Sequence, residues 1–381
     1  MISTYKFRLY PTRAQAKLMD ETLETCRRLY NSLVADRIEN HVGFYQLSKK
    51  LVELKEGSKY LKAVHSQVLQ DVNLRLDKAY QAFFAGLSKY PRFRRKGKYN
   101  SFSYPQHIIG FNLLGNFLKL GKIGKVRIRL HRAIIGTKKR ATIIREIDQW
   151  FVALSVEVEQ ITKGKRSEAS VGVDVGIANL IALSNGEVIP NPKYLRRSAN
   201  EIKHLQRELS RKKKGSNNRD KAKLALAKSW RKVRRQRDDF THKLSFKLAK
   251  ENDMIAFEDL KIQNMVKNHN LASAILDSTW GKLRQLTAYK AERRGGRVIL
   301  VNPGGTSQKC SGCGEAVLKS LSERVHRCLR CGLTLDRDIN AARNILKGGL
   351  EQSHAETEPI LVTRISKFQS RKREANEFIR W

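Results

Sequence analysis

The sequence predicts a multidomain α/β chain, and three observations carry that reading. Alternating strand-like segments bracket a helical stretch in the first 160 residues, apolar strands alternate with helices from about residue 167, and two CxxC pairs lie near the far end. At 381 residues, two to four domains can each bury a core. The 76 Lys and Arg against 36 Asp and Glu give a net charge of +40, which repels itself in a compact state and calls for a polyanionic partner. Nucleic acid fits best, because each neutralised phosphate releases counterions. A membrane partner would need an amphipathic basic helix with large apolar anchors or a long apolar span, and the sequence has neither. The start, "MISTYKFRLYPTRAQ", has no continuous apolar run, so a secretory signal is not expected and a cytoplasmic location is. Five cysteines, four of them in CxxC pairs, fit metal binding in a reducing compartment better than disulfides; Cys26 is left as a small core residue.

The elements follow in order. "STYKFRLYP" alternates like a strand and stops at Pro11. Thr12 then precedes a helical pattern in which Leu18, Leu23, Cys26, Leu29 and Leu33 can share a face, and helical spacing continues to about residue 90. "YPRFRRKGKYNSFSYP" is basic, aromatic and bounded by prolines, the pattern of an exposed extended loop. In "GKVRIRLHR", Val126, Ile128 and Leu130 oppose Arg127, Arg129 and His131. "VALSVEVE" alternates in the same way, predicting a small barrel or half-buried antiparallel sheet that the first strand joins. "VGVDVGIANLIALSNGEVI" reads as strands around turns, with Asn185-Gly186 as a second turn signal. Residues 203–250 are mostly helical, hold 18 Lys or Arg against 4 acids, and break near "KKKGSNNRD". "DMIAFEDL" and "RVILVNP" are short buried strands either side of the helix "STWGKLRQLTAYKAERRG", and the last 30 residues read as a loose tail.

Two chemistries stand out. Cys310-x2-Cys313 and Cys328-x2-Cys331, 14 residues apart, match a four-cysteine zinc ribbon, whose glycines at 312, 314 and 332 permit tight turns. Such a site is closed and structural; His326 between the pairs is not needed as a ligand. Three acids sit where structure alone explains them poorly: Asp174 inside an apolar strand, Glu258 at the end of another, and Asp338 opening "INAARNIL". If they converge, their hard oxygens can hold two divalent ions such as Mg²⁺ or Mn²⁺ roughly 4 Å apart for phosphodiester hydrolysis. Each has an ordinary alternative. Asp338 or Asp336 can be a helix N-cap, Asp174 can bind turn amides, Glu258 can pair with an arginine, and Asp259 can replace Glu258.

"GVDVGIANL", "FEDL" and "CSGCG…CLRCGLTLDRDINAARNIL" resemble the TnpB family of insertion-sequence proteins, related to type V CRISPR effectors. "YKFRLYPTRAQ…CRRLYN", "PRFRRKG…SFSYP" and "ATIIREIDQWFVALSVEVE" extend the resemblance over nearly the whole chain. It implies an RNase H-like (RuvC) nuclease core at 166–304, completed by a last helix at 336–350 and interrupted by a zinc ribbon at 305–335. It also implies a β-barrel wedge domain at 1–12 and 91–165 with a helical recognition domain, 13–90, inserted; residues 351–381 would be the tail. The implied catalytic and Mg²⁺-binding residues are Asp174, Glu258 and Asp338. The implied activity is cleavage of double-stranded DNA paired with a guide RNA from the transposon end, next to a short transposon-associated motif, by a monomeric ribonucleoprotein in a bacterium or archaeon. A protein-only transposase or recombinase and an RNA-guided repressor are the competing activities, the latter disfavoured by the complete set of acids. The basic helices of 203–250 are expected to track phosphates. Motif reading is expected from Ser48, Gln70, Ser103 and Tyr104, with Gln70 able to contact adenine and Phe102 or Tyr104 able to stack on bases.

Overall fold

The computed structural model describes residues 2–158, 169–320 and 323–355. The chain divides into two compact units near residue 160. The expected boundary at 165–166 and residues 356–381 of the expected tail lie outside the described residues, whereas 351–355, expected in that tail, continue the last helix.

In the first unit, β1 (Ile2–Tyr10) leads into α1 (Arg13–Glu39), α2 (Phe44–Gly57), α3 (Lys59–Ala63) and α4 (Ser66–Phe84). Six strands follow: β2 (Ser101–Tyr104), β3 (Phe111–Leu114), β4 (Phe117–Leu120), β5 (Gly124–Arg129), β6 (Thr137–Glu146) and β7 (Gln149–Glu157). All seven strands form one sheet in the order β2-β6-β7-β1-β5-β4-β3. A closed barrel would need a further ladder between β2 and β3; among the described residues the order ends at those two strands. Thr12 starts α1 with a capping box: its Oγ1 accepts from Gln15 N at 3.3 Å, and Gln15 Oε1 accepts from Thr12 N at 3.0 Å. The buried stripe of α1 runs through Met19, Leu23, Cys26, Tyr30 and Leu33, whereas Leu18 is 42% exposed. The expected stripe was therefore set too far round the helix at its start, because Met19 and not Leu18 lies at the centre of the arc. The helices and the sheet share one continuous core, from Phe7 and Leu9 through Leu69 and Leu76 to Val152 and Leu154.

The second unit begins with β8 (Ser170–Val175), β9 (Asn179–Leu183) and β10 (Val188–Pro190). The helices α5 (Tyr194–Arg211) and α6 (Asn217–Glu251) come next. Then come β11 (Met254–Glu258), α7 (Ile262–Met265), α8 (His269–Ser278), α9 (Trp280–Arg293) and β12 (Arg297–Val301). A two-stranded ribbon, β13 (Val325–Arg327) and β14 (Thr334–Asp336), precedes the last helix, α10 (Arg337–Ala355). The sheet order is β10-β9-β8-β11-β12, an antiparallel meander continued by two parallel strands. The break in the basic stretch is a helical hairpin turn. Ser216 caps α6, and the Arg219 guanidinium donates to Leu209 O and Lys212 O, at 2.7 and 2.8 Å.

Alternation along β8 and β11 decides what faces what. Val171, Val173, Ile255 and Phe257 pack with Leu244 and Leu248 of α6 and Leu283 of α9. The opposite parity, Gly172 and Ala256, faces α10. A Cβ on Gly172 would lie 2.0 Å from Ala342 O, so only glycine lets α10 come this close to β8.

Candidate functional site

Continuing that alternation one step brings Asp174 and Glu258 to the α10 side of the sheet. Phe257 stands opposite Val173 in the parallel ladder, so the acids that follow them are neighbours across β8 and β11. The third carboxylate, Asp338, is in the first turn of α10, with its side chain 14% exposed. It does not cap the helix. Asp336 does, its Oδ1 accepting from Asp338 N at 2.8 Å and Ile339 N at 3.2 Å, which leaves the Asp338 carboxylate free of that duty.

The charges interact strongly. Burial first, then the Glu258 and Asp338 carboxylates, push Asp174 up to about 8, against the smaller opposing pull of Arg337 and the Val175 amide. Burial also raises Glu258, opposed by a hydrogen bond from the Thr306 hydroxyl to its Oε1. Asp259 is differently employed: half exposed, it pairs with Arg284 at 3.1 Å. Arg337 lies beside Asp338, Nε to Oδ1 at 3.5 Å. Asp174, raised by burial and by the two carboxylates near it, and Glu258, raised by burial, supply the hard oxygens that a divalent cation takes, with the Asp338 carboxylate beside them.

The four cysteines form a second cluster. Their sulfurs all lie within 4.8 Å of one another, Cys310 to Cys331 at 3.6 Å and Cys313 to Cys328 at 3.5 Å. A tetrahedral thiolate site with metal–sulfur bonds of about 2.3 Å has sulfurs about 3.8 Å apart, so this set can hold one ion. Gly314 and Gly332 have φ of 80° and 74° and donate to Cys310 O and Cys328 O, each at 2.9 Å, closing two equivalent knuckles. Gly312 has no such backbone demand, and a Cβ there would make only ordinary contacts with Leu333 and Cys331 Sγ, so the tight turns need glycine at 314 and 332 but not at 312. The amide of Cys331 is first among the groups that pull the Cys328 thiol down to about 7, towards the thiolate a metal requires. His326 is fully buried between the knuckles, with Nδ1 bonded to Lys319.

Sequence reasoning missed the connection between the two clusters. Asn340 Oδ1 accepts from Ser311 N at 2.9 Å, and its amide donates to Lys309 O at 2.8 Å. Asn344 donates to Lys309 O at 2.7 Å and to Thr306 O at 2.8 Å. The available signal was two asparagines four apart on a helix whose other inward residues, Ala341, Ala342 and Ile345, are apolar.

The expected motif readers fare unequally. Ser103 and Tyr104 are each 1% exposed. The Ser103 hydroxyl accepts from Arg75 at 2.6 Å and meets Thr142, and the Tyr104 hydroxyl donates to Gly121 O at 2.8 Å. Phe102 is equally buried, so these three are packing residues, and the expectation for them is corrected. Ser48 and Gln70 line a cavity of about 640 Å³ between α2 and α4; Gln70 is exposed, while the Ser48 hydroxyl is held by Asn73 and Phe44 O. Lys203 and Arg207 of α5, Lys212, Lys213 and Lys214 of the turn that follows it, and Lys221 and Lys223 of α6 are exposed.

Two relatives bear the name "Putative RNA-guided DNA endonuclease", in plain or extended form. One, of Streptomyces pristinaespiralis, is 37% identical over 92% of this chain and 90% of its own length; the other, of Escherichia coli, is 33% identical over 91% and 92%. The chain belongs to the TnpB family. Family models described as "Probable transposase" and "Cas12f1-like, TNB domain" match residues 153–269 and 280–345. A "Helix-turn-helix domain" model matches 1–42, a stretch that is β1 and the single long helix α1 in this TnpB-family chain. The fold is like that of Cas12f1 in its cryo-EM complex with sgRNA and target DNA, at a TM-score of 0.58 and 12% identity over 91% of this chain and 98% of that one. Among the described residues, no helix is long and apolar enough to cross a membrane.

Proposed function

We propose that this chain is an RNA-guided DNA endonuclease of a bacterial or archaeal insertion sequence, cutting double-stranded DNA beside a short transposon-associated motif as a monomeric ribonucleoprotein. The observation that carries the reading is the electrostatic convergence of Asp174, Glu258 and Asp338 on one side of a β10-β9-β8-β11-β12 sheet. That strand order supports an RNase H-like, RuvC-type core, with the cysteine ribbon inserted before its last helix. The seven-stranded sheet and the helices of the first unit take the wedge and recognition roles.

Asp174, Glu258 and Asp338 would hold Mg²⁺ or Mn²⁺, and Cys310, Cys313, Cys328 and Cys331 a structural Zn²⁺. Bound divalent ions supply an activated water and charge stabilisation at the scissile phosphate. The protein's own part is to hold two carboxylates on neighbouring strands, β8 and β11, and a third in the first turn of α10, which packs on them. Arg337 stands beside Asp338 as a nearby positive charge, and the Thr306 hydroxyl fixes one oxygen of Glu258. The exposed cations of α5 and α6 bind phosphates without reading bases, which leaves sequence choice to guide pairing. Gln70, exposed at its cavity, and the adjacent Ser48 remain the proposed motif readers.

The test is to express the gene with its downstream flank, sequence the RNA that copurifies at high salt, and assay cleavage of matching DNA. A discrete transcript ending in a variable guide, and cleavage abolished by Asp174→Ala, are expected. Heterogeneous or absent RNA with cleavage retained would turn the reading to a protein-only recombinase. Indifference of the protein's activity to Asp174→Ala would turn it to a repressor.

A further inference from the structure

We infer that Thr306 and Asn344 form a positioning link that sets the Glu258 carboxylate from the cysteine ribbon; this rests on the proposal that Glu258 binds a catalytic divalent ion. A glutamate side chain has three rotatable bonds and must be held in one arrangement to act as a ligand. The Thr306 hydroxyl donates to Glu258 Oε1, leaving Oε2 unoccupied by that contact. Thr306 is itself fixed: it is only 9% exposed, and its carbonyl accepts from Asn344 Nδ2 at 2.8 Å.

The other amide proton of Asn344 goes to Lys309 O, which also receives Asn340, while Asn340 Oδ1 takes the amide of Ser311. Lys309 and Ser311 flank Cys310, so the first knuckle is clamped from both sides of a metal-ligating sulfur. The same helix carries Asp338, six residues before Asn344. One rigid element therefore registers two carboxylates against the ribbon: Asp338 directly, and Glu258 through Asn344 and Thr306. The link explains why a closed metal site lies a few residues from the acids. A hydroxyl has one proton, and although Pro303 O lies 3.2 Å from Thr306 Oγ1, the contact to the carboxylate is the shorter one.

Thr306→Val removes the hydroxyl at nearly constant volume, and Thr306→Ser keeps it. Both are assayed on the complete ribonucleoprotein for Mn²⁺ affinity by electron paramagnetic resonance of the free ion, for zinc content, for target-DNA affinity and for cleavage. Thr306→Val is expected to weaken Mn²⁺ binding by about 10–100-fold, the range for groups that orient a metal ligand. Zinc content and DNA affinity should stay as in the wild type, and Thr306→Ser should restore Mn²⁺ binding. Wild-type Mn²⁺ affinity in Thr306→Val, or equal loss in both variants, overturns the link; equal loss would mean the residue acts only by packing. Glu258→Gln separates the two levels: if it leaves Mn²⁺ binding and cleavage intact, the role of Glu258 itself fails and the link with it.

Discussion

Asp174→Asn should make the RNA-free, magnesium-free protein more stable, by an amount that grows with pH. The folded carboxyl sits at about 8, against 3.8 for an ordinary aspartate, because of burial and then of Glu258 and Asp338. Between those values the folded chain keeps a proton that the unfolded chain releases. The stability this group contributes is therefore complete below about pH 4 and is lost as pH rises through about 8. Within that window the loss is about 1.4 kcal/mol per pH unit, or about 3 kcal/mol from pH 5 to pH 7. Against a typical total of about 5–15 kcal/mol, that is a large share. Asparagine is neutral in both states and removes this slope. Urea unfolding of zinc-loaded wild type and variant at pH 5, 6 and 7, in buffer stripped of Mg²⁺ without free chelator, measures the difference. Parallel stability–pH curves for the two proteins would refute the reasoning, because they would mean that Asp174 does not carry the proton.

Three further outcomes can be checked. Cys328→Ser should abolish zinc binding and impair cleavage while the three carboxylates remain, as read by metal analysis beside a cleavage assay; full cleavage by zinc-free protein would contradict it. Gly172→Ala forces a Cβ against Ala342 O and should destabilise the protein by about 1–3 kcal/mol, with cleavage impaired because α10 carries Asp338. Asp71, with its side chain 1% exposed and paired to Arg75 at 2.7 Å and Arg140 at 2.9 Å, should cost about 3–5 kcal/mol when replaced by alanine, since two guanidinium groups lose their partner; denaturation of that variant measures it.

What was legible in the sequence was what leaves a period or a spacing. The alternation at Val126 and Ile128, the apolar run of β11 and the paired CxxC motifs each mark their own element, because burial acts on residues two or four apart along the chain. Asp174 and Glu258 were visible for the converse reason, as charges interrupting such runs. The arrangement of Thr306, Asn340 and Asn344 was not visible, because a hydrogen bond between residues far apart in sequence has no period. Ser103 and Tyr104 were misjudged for a related reason. A short polar-aromatic stretch reads equally as exposed loop or as strand, and the Arg75–Asp71–Arg140 cluster that draws Ser103 inward joins α4 to β6, far apart in sequence.

The packing of α10 onto β8 also bears on how the protein is made. The last described element of the second unit covers its first strand, at Gly172, and brings the third acid with it. During synthesis, which proceeds at about 5–20 residues per second, β8 waits with its α10 face uncovered until that helix emerges. A chain interrupted before Arg337 has two of the three carboxylates and a bare sheet surface. On the proposed function, an unfinished product would lack the third carboxylate and be conspicuous to quality control, and cutting would await the emergence of α10.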